Sequence, residues 1–191
     1  MQSIYFVDSN FTYESSKKSI LSIRYATDGF SFCVHDETEK LVVFVHEPYA
    51  ADSREAAVDR LKNYVVNDAI LNLRFKKVYI MPCFKEKLLV PGAFFDKANI
   101  ATLYTVNQEV SPDDTILYHH IEGIEAYLVE TVISSFHDFV REHFPVVQIV
   151  NGAYPFILGA MSKALRDTEQ IFLDIQDNYF DLLFIRDSGI Q

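Results

Sequence analysis

A β-hairpin pattern occurs twice in this chain, once near each end, and it limits the folds that the chain can adopt. Residues 21–25 alternate apolar and polar side chains, and a second apolar segment at 30–36 follows a Thr-Asp-Gly turn. Residues 173–177 and 180–187 repeat this arrangement close to the C-terminus. Alternation with a period of two on both sides of a short polar turn is typical of antiparallel strands. The sequence therefore predicts two separate hairpins with a long α/β stretch between them.

The bulk composition excludes several classes of partner. The chain has 191 residues and 49% of them are hydrophobic, which is enough for the core of one domain, or of one domain and a fragment. The formal net charge of −10 argues against general binding to nucleic acid or anionic lipid, because both need clustered Lys and Arg. No apolar stretch approaches the roughly 20 residues of a membrane-spanning helix. We therefore predict no nucleic-acid partner and no membrane span.

The cysteines and the N-terminus indicate where the chain resides. Cys33 and Cys83 lie in or beside apolar, strand-like segments. Two thiols in a chain of this length do not form the disulfide framework of a secreted domain. Residues 1–8 have neither the basic start nor the apolar run of a signal peptide. These features predict buried, reduced thiols and a cytoplasmic location.

The first half of the chain predicts a mixed sheet that starts with a meander. Residues 8–19 are polar and rich in Ser and Lys, so we interpret 1–19 as a loose N-terminal arm. Short loops join three predicted strands into an antiparallel meander. Asp52 and Glu55 have the spacing of a helix capping box. The predicted elements are strands at 20–25, 30–35 and 40–46, an amphipathic helix at 53–72 and a strand at 77–81.

The second half predicts a strand-rich insertion followed by further α/β elements. Within 86–132 a strand at 88–90 and a short helix at 94–104 precede a hairpin around Glu122-Gly123. The segments after the insertion are predicted as a helix at 134–144, a strand at 146–150, a helix at 153–165 and the second hairpin.

In this order the elements resemble the first lobe of the actin, hexokinase and Hsp70 superfamily, followed by the start of the second lobe. More closely, the chain resembles a bacterial family of unknown function with a predicted actin-like ATPase fold. The segments that carry this resemblance are 87–95, 113–118 and 170–175. The resemblance implies an α/β fold, namely a ribonuclease H-like or actin-like lobe with a mixed sheet, an antiparallel meander and flanking helices.

The resemblance also implies a division of the chain into three parts. Residues 1–19 would be the arm, and 20–168 would be the first lobe with its insertion around 86–132. Residues 169–191 would be the first hairpin of a truncated second lobe. A complete second lobe needs a further strand and at least two helices, so we expect either a fragment or a reduced member of the superfamily.

A nucleotide site is what the superfamily resemblance implies for the two hairpins. In active members each hairpin carries an Asp-x-Gly turn that holds magnesium and lets the backbone approach phosphate. Here the first hairpin reads Ser22-Ile23-Arg24, without the acid or the glycine. The second reads Asp174-Ile175-Gln176, with the acid but without the glycine. The chain thus departs from the active pattern in both copies.

The candidate nucleotide-binding residues lie in the second hairpin. They are Asp174, Gln176, Asp177 and Asn178. ATP and magnesium are the cofactors that they would bind, and Asp174 would lie near the metal. The alternative interpretation is an ordinary polar hairpin turn, in which Asp and Asn are expected.

Other polar residues have simpler interpretations. Adjacent strand residues point to opposite faces, so His119 and His120 cannot chelate one ion, and no His or Cys spacing matches a zinc site. We interpret the acidic stretch that includes Glu130 as a solvated face. The segment 151–153 precedes a helix whose N-terminus suits an anion, and a plain helix-start turn explains it as well.

Three functions remain open at this point. The first is a non-enzymatic interaction or scaffold protein with a degenerate actin-like lobe, which binds a protein partner or a second copy of itself. The second is an ATP-binding protein or ATPase with an atypical phosphate loop. The third is a subunit whose hairpin at 171–187 pairs with the edge of a partner's sheet.

Overall fold

The strands and helices that the sequence predicted occur in the expected order, together with additional elements at Ile4–Val7, Tyr13–Ser16 and Gly189–Ile190. The computed structural model describes residues 2–176, 179–186 and 189–190. In chain order the strands are β1 (Ile4–Val7), β2 (Ile20–Ala26), β3 (Gly29–His35), β4 (Leu41–Pro48), β5 (Lys77–Pro82), β6 (Lys87–Pro91), β7 (Asp114–Ile121), β8 (Ala126–Ile133), β9 (Val147–Ile149), β10 (Glu169–Ile175), β11 (Phe180–Arg186) and β12 (Gly189–Ile190). The α-helices are α1 (Tyr13–Ser16), α2 (Arg54–Asn67), α3 (Ile100–Asn107), α4 (Ser134–His143) and α5 (Ala153–Lys163).

These elements belong to two units. Unit 1 comprises Met1–Phe84 and Val132–Val150, and unit 2 comprises Lys85–Thr131 and Asn151–Gln191. No described helix is long and apolar enough to cross a membrane.

Unit 1 contains a six-stranded mixed sheet in the order β1-β4-β3-β2-β5-β9. Strands β2, β3 and β4 are antiparallel neighbours, which is the predicted meander. Strands β5 and β9 join parallel to β2 and to each other. The predicted fold class, a mixed α/β fold with flanking helices, is confirmed.

Helices α2 and α4 cover one face of this sheet. Tyr25 of β2 and Phe30 of β3 are partners in register, so their side chains share a face. Tyr64 of α2 lies against Phe30 with ring centroids 4.5 Å apart, and Phe136 of α4 lies 5.0 Å from Tyr25. The aromatic side chains thus hold both helices on the meander.

The N-terminal segment is not the loose arm that the sequence predicted. Ile4–Val7 forms β1 and pairs with β4, and Thr12 caps the short helix α1 through the backbone N–H of Ser15. Tyr5 is 65% exposed, and the strand as a whole buries little. An edge strand held mainly by backbone hydrogen bonds needs no alternation of apolar and polar residues, so the period of two that identified the other strands is missing here.

The predicted boundaries of α2 are wrong at both ends. Ser53, not Asp52, is the N-cap, and its hydroxyl accepts from the backbone N–H of Ala56. The helix ends at Asn67 because Asp68 takes an extended backbone and accepts from the N–H of Ile70. Short polar side chains commonly end helices in this way, since they offer the backbone an alternative partner.

Unit 2 is built in layers around the three-stranded sheet β6-β8-β7. Neighbouring β8 residues point to opposite faces of this sheet. Val129 packs with Ile100 and Tyr104 of α3, whereas Leu128 packs with Ile157 of α5. The sheet is therefore covered by α3 on one face and by α5 on the other.

The second hairpin, β10–β11, packs on α5 within unit 2. Leu183 and Ile185 of β11 belong to the same apolar cluster as Ile157, and Phe172 of β10 packs against it. Both hairpins predicted from the sequence are present. The three-part division of the chain, with this hairpin as the start of a second lobe, stays a prediction.

The helix predicted at 94–104 is two elements. A 3-10 turn covers Gly92–Phe94, and α3 starts only at Ile100. Between them Asp96 accepts from the backbone N–H of Ala98 and from the side chain of Asn99, which stabilises a turn.

The first hairpin turn requires glycine at position 29. Gly29 has φ of 148°, and an added Cβ would lie 2.6 Å from the carbonyl oxygen of Glu47. We expect Gly29→Ala to lower the free energy of unfolding by about 1–3 kcal/mol. Urea titration measures this change. The matched control Gly159→Ala should leave the free energy of unfolding unchanged or raise it by up to about 1 kcal/mol, because an added Cβ meets open space on α5. Equal stability changes for the two variants would contradict this account.

Candidate functional site

The structure places Asp174 and Gln176 in contact with each other. The Gln176 Nε2 donates to Asp174 Oδ2 at 2.9 Å, and the Gln176 backbone N–H donates to the carbonyl oxygen of Tyr179. Asp177 and Asn178, the other two predicted site residues, lie outside the described residues. The part of the candidate nucleotide site that the structure describes is thus a side-chain contact at the end of β10.

Lys87 of β6 is the cation beside this hairpin. Its Nζ lies 2.8 Å from Asp181 Oδ1 and 4.8 Å from the centre of the Tyr179 ring. Asp181 is the register partner of Asp174, so both carboxylates lie on the face of the hairpin that packs inward. The side chains of Lys87 and Asp181 are 14% and 21% exposed. This largely buried ion pair links β6 to β11.

The corresponding positions of the first hairpin belong to unit 1. Ser22 pairs with Cys33 and Arg24 with Ser31 in the β2–β3 register. The guanidinium of Arg24 lies 3.5 Å from Asp28 Oδ1 in the adjoining turn. Ser22 and Arg24 therefore stand at the positions where the superfamily resemblance implies an acid and a glycine.

A second polar group lies at the start of α5 and is almost fully buried. Glu130 of β8 is 2% exposed, and its Oε2 accepts from Asn151 Nδ2 at 2.7 Å. The Asn151 Oδ1 in turn accepts from the backbone N–H of Ala153 at 2.8 Å. Lys87 is opposite Glu130 in the β6–β8 register. The two polar groups of unit 2 are therefore neighbours through Lys87.

Burial determines the charge of Glu130 and of its neighbour His119. It raises the pKa of Glu130 from 4.5 to about 8, against the opposing effects of the Asn151 hydrogen bond and the charge of Lys87. Burial also lowers the pKa of His119 from its ordinary value of 6.5. The His119 Nε2 lies 3.9 Å from Glu130 Oε1, too far for a hydrogen bond. We therefore regard the two side chains as neutral at pH 7 rather than as an ion pair.

The sequence interpretation of Glu130 as part of a solvated acidic face is wrong. Glu130 interrupts an apolar run in β8, and its neighbours Leu128, Val129 and Val132 are all buried. An acid within a strand of buried apolar residues was the signal that could have found it. The sequence around Lys87 does not indicate its role, because its ion-pair partner Asp181 is far away in sequence.

No group of three or more His, Cys, Asp or Glu side chains in the described residues is arranged to hold a metal ion. Asp181 is engaged by Lys87, and Asp174 accepts from Gln176. Both of these carboxylates of the second hairpin therefore already have a polar partner within unit 2.

The outward side of the hairpin is apolar and exposed. We call this surface the outer face. Its residues are Ile171, Leu173 and Ile175 of β10 and Phe180, Leu182 and Phe184 of β11. Apart from Phe184, which is half-buried, each of these side chains is between 53% and 77% exposed.

A family model for a protein of unknown function, DUF3822, matches residues 8–191. The chain belongs to this family. The sequence resemblance to a family of unknown function is thereby confirmed. No curated protein is similar in sequence to the chain.

Among solved structures, this family member is similar to a crystal structure from Bacteroides thetaiotaomicron. That protein is described as having an actin-like ATPase fold and unknown function. The TM-score is 0.85 at 21% sequence identity, and the match covers 94% of this chain and 70% of that chain. The actin-like fold predicted from the sequence is confirmed.

The buried carboxyl predicts how stability depends on pH. The pKa of Glu130 is higher in the folded chain than its ordinary value of 4.5, so its ionisation makes the fold less stable as the pH rises from about 4.5 to about 8. Glu130→Gln keeps an oxygen that can accept from Asn151 but carries no charge. We expect this variant to be more stable than the wild type by on the order of 3 kcal/mol at pH 8, with the difference vanishing near pH 4.5.

Urea denaturation at pH 4.5, 6 and 8 measures this difference. The exposed Glu125 of the same acidic stretch provides the control, and Glu125→Gln should change stability little at any of these values. A Glu130→Gln effect that does not vary with pH would show that burial does not raise the pKa of this carboxyl.

Proposed function

We propose that this chain is a non-enzymatic interaction protein that uses an actin-like fold as a scaffold, with the second hairpin as its docking element. The observation that carries the proposal is the outer face. Its most exposed member, Ile175, is 77% exposed, and Phe180 opposite it in register is 61% exposed. Monomeric soluble proteins rarely leave a contiguous apolar patch of this kind in water, and such patches mark interaction sites.

The inward side of the same hairpin supports a structural role for its polar residues. Asp181 forms a largely buried ion pair with Lys87, and Asp174 is hydrogen-bonded to Gln176. Removing one partner of a buried ion pair is costly, so Asp181 stabilises the position of the hairpin against β6. In an ATPase the same carboxylates would instead be left available for a metal ion and water.

The residue at the expected glycine position gives further support. Gln176 carries a side chain where close approach of a phosphate to the backbone would require none. The side chain is also engaged, through its bond to Asp174. The first hairpin lacks the acid as well, since Ser22 occupies that position.

An atypical ATP-binding protein is the second candidate, and Lys87 is the observation that favours it. Its ammonium group lies next to the turn of the second hairpin, as its 4.8 Å distance from the Tyr179 ring shows. A lysine at this position would suit a phosphate group. Lys87 is already paired with Asp181, however, so a bound phosphate would have to compete with that carboxylate.

The remaining sequence-based expectations accompany the proposal as predictions. They are a cytoplasmic location, a bacterial source, a ribonuclease H-like relationship of the lobe, and a protein partner or self-association. Use of an actin-like fold as an assembly platform is an analogy at the level of the fold.

Titration calorimetry with millimolar Mg-ATP tests the choice between the two candidates. We expect no saturable heat for the wild type or for Asp174→Ala, because each of the two hairpins lacks its glycine and the described carboxylates of the second hairpin are engaged. Thermal melts of both proteins serve as the control for folding. Saturable binding by the wild type that is lost in Asp174→Ala would overturn the proposal in favour of the ATP-binding protein.

A further inference from the structure

We propose that the outer face is covered by a second copy of this chain, so that two hairpins stack face to face around a twofold axis. This inference rests on the proposed interaction function and names its partner. Two antiparallel sheets that pack with aligned strands are a common way to bury such surfaces.

The outer face consists of three successive cross-strand pairs. Ile175 is opposite Phe180, Leu173 is opposite Leu182, and Ile171 is opposite Phe184. In the first and third pairs β10 supplies an aliphatic side chain and β11 an aromatic one. The middle pair is leucine on both strands.

The charges at one end of the outer face form a matched pair. Glu169 is the register partner of Arg186, and their side chains form an ion pair of 2.7 Å. The guanidinium of Arg186 also lies 5.4 Å from the centre of the Phe184 ring. The side chain of Glu169 is 60% exposed and that of Arg186 is 48% exposed, so both are open to a partner.

A twofold axis parallel to the strands makes this surface complementary to itself. Such an axis exchanges the two strands while each cross-strand pair keeps its level, so each residue faces the copy of its own register partner in an isologous contact. Ile171 would then face Phe184 of the second copy, and Ile175 would face Phe180. Glu169 of each copy would face Arg186 of the other, so no like charges meet.

The alternative twofold axis, parallel to the cross-strand pairs, fits less well. This axis reverses the direction of the strands, so the Glu169–Arg186 pair of each copy would lie beyond the turn end of the other hairpin. No described residue there would supply an opposite charge. Charge complementarity therefore favours the axis along the strands. It also gives an interface in which apolar side chains lie at the centre and charges at the rim.

Sedimentation equilibrium tests the proposal at about 0.15 M salt, where repulsion between distant charges is screened beyond about 8 Å. We expect the wild type to form a dimer. Leu173→Asp places a charge in the middle pair and should weaken association by about tenfold or more. The matched control is Val66→Asp, at an apolar residue of α2 that is 57% exposed, and it should leave association unchanged.

Charge exchange tests the direction of the axis. Glu169→Arg and Arg186→Glu each place like charges opposite each other, so either variant alone should associate about tenfold more weakly than the wild type. An equimolar mixture of the two variants restores opposite charges between chains but not within them. Association of the mixture at close to the wild-type strength supports the proposed dimer, and a mixture as weak as its components overturns it.

Fluorescence of an anilinonaphthalene sulfonate dye separates failure of this inference from failure of the proposed function. If the wild type is monomeric at all concentrations, the proposal that a second copy covers the outer face is overturned. If such a monomer binds dye and Leu173→Asp does not, the outer face is open to a different polypeptide and the interaction function stands. A monomer that neither associates nor binds dye contradicts both.

Discussion

Unit 2 depends on one buried polar contact, the hydrogen bond between Asn151 and Glu130. The amide of Asn151 donates to the carboxyl of Glu130 on β8, while its oxygen accepts from the first backbone N–H of α5. Because both partners are almost fully buried, an unsatisfied group here would cost on the order of 1–3 kcal/mol. This contact fixes where α5 begins relative to the sheet, and α5 in turn carries the second hairpin through Leu183 and Ile185.

The same hairpin has two sides with different roles. Its inner side combines apolar packing on α5 with the Lys87–Asp181 ion pair, and Asp174 on the same side accepts a hydrogen bond from Gln176. Its outer side has no comparable cover in the described residues and is rich in Ile, Leu and Phe. These two properties are the basis of our proposal that the actin-like fold serves here as an assembly platform.

Much of the fold could be predicted from local patterns. Leu21, Ile23 and Tyr25 alternate along β2 and are all buried, so the period of two identified the meander correctly. The edge strand β1 and the exact cap of α2 were missed. The first is held by backbone pairing that leaves its side chains exposed, and the second was a choice between adjacent polar residues, Asp52 and Ser53, that propensity does not resolve.

The polar groups of unit 2 were harder to predict, because they depend on contacts between residues far apart in sequence. Asp174 and Gln176 were identified from their position in a repeated hairpin, but their contact with each other was not. Glu130 was misread, since a run of acids near it suggested a solvated face. Only the three-dimensional structure shows that Asn151 and Lys87 approach it from elsewhere in the chain.

Methyl NMR with a soluble paramagnetic probe tests the central claim, that the two sides of the second hairpin differ in access to solvent and that the outer one is covered by association. In the weakly associating Glu169→Arg variant, the methyl signals of Leu173 and Ile175 should broaden strongly, and those of Leu183 and Ile185 should not. In the wild type at high concentration, all four should be protected. Outer-face methyls that are protected in the variant, or equally exposed in both proteins, would contradict the account.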